Sequence, residues 1–163
     1  MKEVVKMRVV VISDSHGRSG VIDKILASQP DAKVVFFLGD CARDIEDFEF
    51  IYSDKTFYSV SGNCDFNSFL PTTGVATVEG VKIFYTHGHT LNVKYSTNHL
   101  LKAMEQNECT IGLYGHTHIA NILYEDGKYI VNPGSVSRSR NGPNSYAVID
   151  ITEKGIMPII ITI

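Results

Sequence analysis

Imidazole and carboxylate side chains follow several short apolar runs in this sequence. Asp14 and His16 come directly after one run, and Asp40 comes after the next. His116 and His118 follow a later run, and the alternation of a strand would send both side chains to the same side. Neutral imidazole binds transition ions such as zinc and nickel, whereas carboxylates suit harder ions such as manganese. These residues therefore indicate a metal site.

The candidate ligands outnumber the needs of one ion. They all lie at the ends of apolar runs: Asp14, His16, Asp40, Asn63, His87, His116 and His118. These groups fit two ions if a single aspartate bridges them. Two metals about 3.5–4 Å apart form a clamp for in-line displacement at phosphorus, and bound metal lowers the pKa of water to about 7. The residues therefore predict phosphoester hydrolysis, with a metal-bridging hydroxide as nucleophile.

Each motif alone also has an ordinary structural explanation. An Asp-x-His pair or a Gly-Asp turn is common, and the segment 62–65, Gly-Asn-Cys-Asp, is by itself more often a loop than a site. The combination is informative because five of the six histidines follow apolar runs. The sixth, His99, lies in a helical pattern and is interpreted as a surface or packing residue.

The elements that must position these side chains are strands. The apolar runs are rich in Val and Ile and end in turn-forming residues: 8–12, 34–38, 57–60, 81–85, 110–114 and 129–131. Such runs are typical of buried strands. In open α/β sheets, ligands bind beyond the carboxyl ends of the strands. The polar residues are therefore expected to converge at that edge.

Helical stripes separate the first strands. One has Val21, Ile22, Ile25 and Leu26 on one face, the second has Ile45, Phe48, Ile51 and Tyr52, and the third has Leu100, Leu101 and Met104. Two hairpins are predicted later, one turning at 126–127, Asp-Gly, and one near 154–155. The pattern predicts an α/β fold and a single domain over 1–163.

Composition narrows the class of protein. A hydrophobic fraction of 44% and a charged fraction of 20% are typical of a globular chain. The net charge of −3 gives no basic excess, so nucleic acid is disfavoured as a substrate. An odd count of three cysteines fits a reducing cytoplasm. Neither a signal peptide in 1–11 nor an apolar stretch of the roughly 20 residues that span a membrane is evident. A cytoplasmic location is expected.

The motifs together resemble those of the calcineurin-like metallophosphoesterases. The matching segments are 14–16 (Asp-Ser-His), 39–40 (Gly-Asp), 62–65, 87–89 (His-Gly-His) and 115–118 (Gly-His-Thr-His). The segment 132–136, Asn-Pro-Gly-Ser-Val, further resembles the small bacterial and archaeal phosphodiesterase branch, to which the retromer subunit Vps29 is related. The resemblance extends from Asp14 to about Arg138 and implies a two-sheet β-sandwich flanked by helices.

The resemblance also implies how the ligands are shared. One metal would take Asp14, His16, Asp40 and His118. The second would take Asp40, Asn63, His87 and His116. Asp40 becomes the bridge, and Asn63 and His116 could also contact the phosphate. Mn²⁺ is the expected ion, with Ni²⁺, Fe²⁺ and Zn²⁺ as alternatives.

Two positions depart from the family pattern. Many members have a histidine after the asparagine ligand that protonates the leaving group, whereas this chain has Cys64. The arginine of a Gly-Asp-x-x-Asp-Arg motif is also displaced, because Arg43 precedes Asp44 here. His89 is a substitute acid or a residue that orients a ligand. Arg138 is a candidate for binding substrate phosphate, or else a solvated surface charge.

These features predict a phosphoesterase that acts on small phosphate esters, with diesters favoured over monoesters. The alternative is a non-catalytic, metal-binding scaffold of the retromer-subunit type. A scaffold is free to lose a ligand, and the sequence retains the whole set. A nuclease is a weaker alternative. The resemblance allows a homo-oligomer, and the natural substrate is left open.

Overall fold

The computed structural model describes residues 4–163. The sequence expectation of no signal peptide in 1–11 therefore falls partly, at residues 1–3, outside the described residues. The strands are β1 (Val5–Ile12), β2 (Ala32–Phe37), β3 (Thr56–Ser59), β4 (Thr73–Val78), β5 (Val81–Thr86), β6 (Ile111–Leu113), β7 (Asn121–Glu125), β8 (Lys128–Asn132), β9 (Ser145–Thr152) and β10 (Ile156–Thr162). The α-helices are α1 (Ser19–Ser28), α2 (Arg43–Ile51) and α3 (Asn98–Gln106), and His89–Leu91 form a 3₁₀ turn. Over the described range, no helix is long and apolar enough to span a bilayer.

The strands form two mixed sheets. The first has the order β10-β9-β1-β2-β3, in which β1, β2 and β3 are parallel and β9 is antiparallel to both of its neighbours, β1 and β10. The second has the order β4-β5-β6-β8-β7, in which β5, β6 and β8 are parallel and the two edge strands are antiparallel. The predicted two-sheet sandwich flanked by helices is confirmed.

The main core lies between the two sheets. Val9 and Phe36 of the first sheet pack in one cluster with Ile83 and Ile111 of the second. The outer face of the first sheet is covered by α1 and α2, whose Ile22 and Ile45 join a second cluster. Helix α3 covers the second sheet through Leu100 and Met104. Both sheets are therefore held rigidly, which fixes the loops at their ends.

Strand β4 is the element that the sequence pattern missed. It has no continuous β-branched run, since only Ala76 and Val78 are buried and Val75 is 42% exposed. Gly74 pairs with Tyr85, and a Cβ at Gly74 would lie 2.3 Å from Cζ of that ring. A tyrosine packed over a glycine stabilises an edge strand that has little apolar signal of its own.

The predicted stripe of α2 was wrong at its last turn. Ile45 and Phe48 are buried as expected, but Ile51 is 64% exposed. The helix ends at Ile51, so this side chain projects beyond the surface that the helix covers. The two predicted hairpins are confirmed as β7–β8 and β9–β10.

A cross-strand ion pair between β1 and β9 gives a test of stability. Arg8 donates from Nε and Nη2 to the two carboxylate oxygens of Asp150, each at 2.8 Å, and Asp150 is only 4% exposed. Arg8→Ala leaves this carboxylate buried without its cation. We expect it to lower the free energy of unfolding by about 1–3 kcal/mol in urea titrations.

Lys6→Ala is the matched control on the same strand. Lys6 pairs with Glu153, and their side chains are 47% and 73% exposed. Such an exposed pair contributes about 0–1 kcal/mol. Equal losses of unfolding free energy in the two variants would contradict the role given to Arg8.

Candidate metal centre

The seven predicted ligands come together at one end of the sandwich. Each follows the carboxyl end of a parallel strand: Asp14 and His16 after β1, Asp40 after β2, Asn63 after β3, His87 after β5, and His116 and His118 after β6. Parallel strands bring these ends to one edge of each sheet. The two edges lie side by side because the sheets pack face to face. Residues distant in sequence thereby reach one site.

Five of the seven residues adopt the left-handed backbone conformation. Their φ angles are 56° at Asp14, 45° at His16, 61° at Asp40, 67° at His116 and 60° at His118. For residues other than glycine, each such position costs on the order of 1–3 kcal/mol and persists only where the surroundings enforce it. These bends turn the chain sharply at the strand ends and direct successive polar side chains inward.

Close backbone contact between two loops sets the place of Asp40. Gly39 has a φ of 93°, and a Cβ added there would lie 2.6 Å from the backbone nitrogen of Gly62. A Cβ at Gly62 would in turn meet the Asp40 carboxylate. The loop after β2 and the loop after β3 can therefore approach this closely only with glycine at both positions.

One group of ligand atoms surrounds the Asp14 carboxylate. Asp14, His16, Asp40 and His118 each offer one atom within 4.8 Å of the others. The Nε2 of His118 lies 3.1 Å from Asp14 Oδ1 and 3.2 Å from His16 Nε2. Three of the four residues are buried and His16 is half-buried. This is a compact set of two carboxylates and two imidazoles.

A second group surrounds the ring of His87. Its Nε2 lies 3.1 Å from Asn63 Oδ1, 3.2 Å from His116 Nδ1 and 3.5 Å from Asp40 Oδ1. The other oxygen of Asp40, Oδ2, lies 3.7 Å from His16 Nε2 in the first group. Asp40 thus presents one carboxylate oxygen to each group, which is the arrangement that a bridging ligand requires.

Backbone carbonyls fix the tautomers of two histidines. His87 Nδ1 lies 2.7 Å from the carbonyl of Leu38, and His118 Nδ1 lies 2.8 Å from that of Arg138. Since a carbonyl only accepts, both Nδ1 atoms carry the hydrogen. The neutral rings then direct Nε2 lone pairs into the site. Metal-binding histidines are oriented by this kind of hydrogen bond.

The Asp14 carboxylate has one satisfied oxygen and one orphaned oxygen. Oδ2 accepts from Ser13 Oγ at 2.6 Å and from the backbone N–H of His116 at 3.1 Å. Oδ1 is buried and has no hydrogen-bond partner among residues 4–163. It faces the Nε2 of His118 at 3.1 Å, and two acceptors oppose each other there unless this nitrogen carries a proton. A cation between them would remove this cost. The residues therefore fit a bound metal.

The pKa values of His116 and His118 are shifted by burial and by neighbouring groups of the site. Burial and the neighbouring His87 lower the pKa of His116 to about 4, which keeps that ring neutral and able to ligate. The close Asp14 carboxylate raises the pKa of His118. A proton on His118 therefore competes with a metal ion for the same space.

The carboxylate of Asp65 fixes the loop that carries Asp40. Its Oδ1 accepts backbone N–H groups from Cys41 at 2.8 Å and Ala42 at 2.7 Å. Its Oδ2 accepts those of Asp40 at 2.9 Å and Gly62 at 2.7 Å. Sequence reasoning assigned no role to this residue. Its only signal was its place in the segment 62–65.

The Asn-Pro-Gly-Ser segment after β8 supports the site from the other sheet. Ser135 Oγ donates to the backbone carbonyl of Asp14 at 2.8 Å. Asn132 Nδ2 donates to the carbonyl of Gly115 and to Thr117 Oγ1, both at 3.0 Å. These bonds join the loop after β6, which carries His116 and His118, to the loop after β1.

The remaining candidates surround the two groups. The His89 ring centroid lies 5.4 Å from that of His87 and 6.2 Å from that of His116. Cys64 is exposed, and its backbone N–H donates to Asp40 Oδ1 at 2.9 Å. Arg138 is exposed and lines the same cleft as His16. His99, on α3, is exposed and outside the site.

Comparison with known proteins identifies the family. The sequence profile of the calcineurin-like phosphoesterase superfamily domain matches residues 7–154. The chain belongs to this superfamily. The probable metallophosphoesterase YsnB of Bacillus subtilis is 30% identical over 146 residues, which cover 89% of this chain and 85% of YsnB. The phosphodiesterase YfcE of Escherichia coli is 28% identical over 170 aligned residues, covering 88% of each chain.

The fold agrees with this assignment. A predicted phosphoesterase from Streptococcus pneumoniae superposes with a TM-score of 0.82 at 27% sequence identity, covering 98% of this chain and 91% of the other. The chain is therefore a metallophosphoesterase-family protein with the family's two-sheet fold. Its Asp and His cluster is a candidate metal-binding site.

The role of Asp65 can be tested through metal affinity. Asp65→Asn keeps one oxygen as an acceptor but places an NH2 group against two of the four backbone N–H donors, so the Asp40 loop loses part of its anchor. We expect Mn²⁺ to bind roughly 10–100-fold more weakly, as is typical when a partner that orients a ligand is lost. Titration calorimetry measures this. The control is Asp47→Asn, an exposed aspartate on α2. Wild-type affinity in Asp65→Asn would contradict the anchoring role.

Proposed function

We propose that the protein is a two-metal phosphoesterase that hydrolyses small phosphodiesters. The proposal rests on the two groups of candidate ligand atoms, one around Asp14 and one around His87. Asp40 faces both groups, with one carboxylate oxygen toward each. The proposed preference of the protein for diesters is supported by its similarity to YfcE, which is named a phosphodiesterase. The acidic net charge of −3 favours a small substrate over an extended polyanion such as nucleic acid.

We assign four ligands to each ion. The first ion would be held by Asp14, His16, Asp40 and His118. The second would be held by Asp40, Asn63, His87 and His116. A mixture of oxygen and imidazole ligands suits Mn²⁺, which we propose as the ion, with Ni²⁺, Fe²⁺ and Zn²⁺ as alternatives.

The two ions, when bound, would supply a hydroxide nucleophile at neutral pH and neutralise charge on the phosphate. The chain's own residues hold this arrangement. Asp40 faces both groups of ligand atoms, and phosphate contact is assigned to Asn63 and His116. Arg138, exposed beside His16 in the cleft, can donate to phosphate oxygens through its guanidinium fork.

Proton delivery to the leaving group is assigned to His89. Its ring borders His87 and His116, and its Nδ1 is buried without a hydrogen-bond partner in the described range. Cys64 is the competing donor, since burial and the Asp40 carboxylate raise the pKa of its thiol. A protonated thiol is a weaker match to the task than imidazole.

The scaffold alternative remains distinct from this proposal. The scaffold would bind metal without catalysis and would use its metal pocket or an apolar face to bind partner proteins. A scaffold is free to lose a ligand, whereas all seven candidate residues are retained in the sequence. This completeness supports the enzyme. Cytoplasmic location and homo-oligomer formation stay predictions from sequence.

Activity and metal content test the proposed function together. The wild type should contain two Mn²⁺ per chain by elemental analysis and hydrolyse bis(p-nitrophenyl) phosphate. Asp40→Ala and His116→Ala should each lower kcat by roughly 100-fold or more, because each removes a group that positions charge at the reacting phosphate. The matched control is His99→Ala, an exposed histidine outside the site. Turnover in Asp40→Ala equal to that of wild type would overturn the assignment.

Leaving-group dependence tests the role of His89. A general acid contributes about 10²–10⁴-fold when the leaving group needs a proton. We expect His89→Ala to reduce kcat strongly for phenyl methyl phosphate and weakly for p-nitrophenyl methyl phosphate, whose better leaving group departs unprotonated. Cys64→Ala serves as the comparison. A selective loss in Cys64→Ala instead would assign the proton to the thiol, and equal losses on both substrates would give His89 only a supporting role.

A further inference from the structure

A large cleft opens directly beside the candidate metal centre. Its volume is about 930 Å³, and its wall includes His16, Cys64 and Arg138. A cleft of this size can hold a drug-sized group, because ligand pockets commonly measure about 300–1,000 Å³. A phosphate at the metal centre would therefore have room for one of its ester groups in the cleft.

Two phenylalanines on one loop line this cleft. Phe66 is 85% exposed and Phe69 is 105% exposed relative to a free reference side chain. Both lie in the segment 63–70, which begins with the predicted ligand Asn63. Two exposed aromatic rings within a few residues of a reaction centre leave substantial apolar area in water. Binding of a flat apolar group would remove that area from solvent.

The cleft also has charged lining residues. Arg43, Glu46 and Glu49 of α2 all line it. The two glutamates are exposed to water. An alkyl chain lying against them would displace water from the carboxylates without replacing its hydrogen bonds, and this is costly. A planar ring can contact the phenylalanines with its face and present polar groups at its edge.

We propose that this cleft is a subsite for a planar aromatic ester group of the phosphate substrate, with Phe66 and Phe69 stacking on the ring. The proposal rests on the proposed phosphoesterase function. A nucleobase and a simple aryl group share the required chemistry. A nucleobase also carries N–H groups that can donate hydrogen bonds to the two glutamates.

Binding of phosphonates separates ring planarity from size. Phenylphosphonate and cyclohexylphosphonate differ in planarity but match in size, and their carbon–phosphorus bonds resist hydrolysis. Calorimetry on the Mn²⁺-loaded protein should show phenylphosphonate binding roughly 10-fold more tightly, since stacking on an aromatic side chain accounts for such a factor. Phe66→Ala and Phe69→Ala should each reduce this ratio toward one. Both side chains are exposed, so neither change threatens folding.

Phe50→Ala is the matched control, because Phe50 is 84% exposed on α2 and is not among the residues that line the cleft. It should leave the ratio unchanged. Equal binding of the two phosphonates by the wild type, or an unchanged ratio in both phenylalanine variants, would overturn the subsite alone. If the protein binds neither phosphonate, the phosphoesterase function is overturned together with the subsite.

A third ligand, 9-[2-(phosphonomethoxy)ethyl]adenine, distinguishes a nucleobase from a simple aryl group. Binding of this ligand that weakens in Phe66→Ala and Phe69→Ala supports the subsite for a nucleobase. If neither this ligand nor phenylphosphonate binds more weakly to the two variants, the subsite is overturned.

Discussion

The structure depends on bringing the carboxylates of Asp14 and Asp40 together with several imidazole nitrogens in one small, largely buried space. Acceptors 3–4 Å apart in a low-dielectric interior repel one another unless a proton or a metal cation lies between them. Backbone N–H groups donate to Asp14 Oδ2 and Asp40 Oδ1, whereas the buried Asp14 Oδ1 has no such donor in the described range. The carbonyls of Leu38 and Arg138 hold the Nδ1 hydrogens of His87 and His118 on the outer side of the site. The site is thus organised to receive positive charge.

The sandwich supplies the rigidity that this arrangement requires. Left-handed backbone at five ligand positions is unfavourable, and three kinds of contact enforce it. Gly39 and Gly62 allow the loops of β2 and β3 to touch, Asp65 binds four backbone N–H groups there, and Ser135 ties the β8 loop to the β1 loop. Each contact joins loops that belong to different strands. Local geometry at the ligands therefore results from the tertiary fold.

The polar residues at the strand ends are a local feature of the sequence, whereas the contacts that fix their geometry are tertiary. This difference explains which features could and could not be predicted from the sequence. The candidate ligands could be singled out because each follows a short apolar run, and both the polar residue type and the run can be read locally in the sequence. Strand β4 was missed because its stability comes from Tyr85 packing over Gly74 and from pairing with β5, which are not local signals. The anchoring by Asp65 was missed for the same reason. Its partners lie at 40–42 and at Gly62, and only the approach of two loops makes them neighbours. The cleft of Phe66 and Phe69 likewise depends on where α2 packs.

The strained backbone and the orphaned Asp14 oxygen lower the stability of the folded protein, and this cost in free energy bears on its function. A chain that used this fold only to bind partner proteins would gain stability from relaxing any of the strained ligands or from replacing Asp14 with a residue that leaves no orphaned oxygen. Proteins keep such unfavourable features where activity needs them, and offset them elsewhere in the fold. Here the compensating contacts are hydrogen bonds to the carboxylates: Asp14 Oδ2 accepts from Ser13 and His116, and Asp40 Oδ1 accepts from the backbone N–H of Cys64. Support is thus concentrated around the carboxylates of the candidate metal site, where the fold compensates for the cost of bringing these acceptors together.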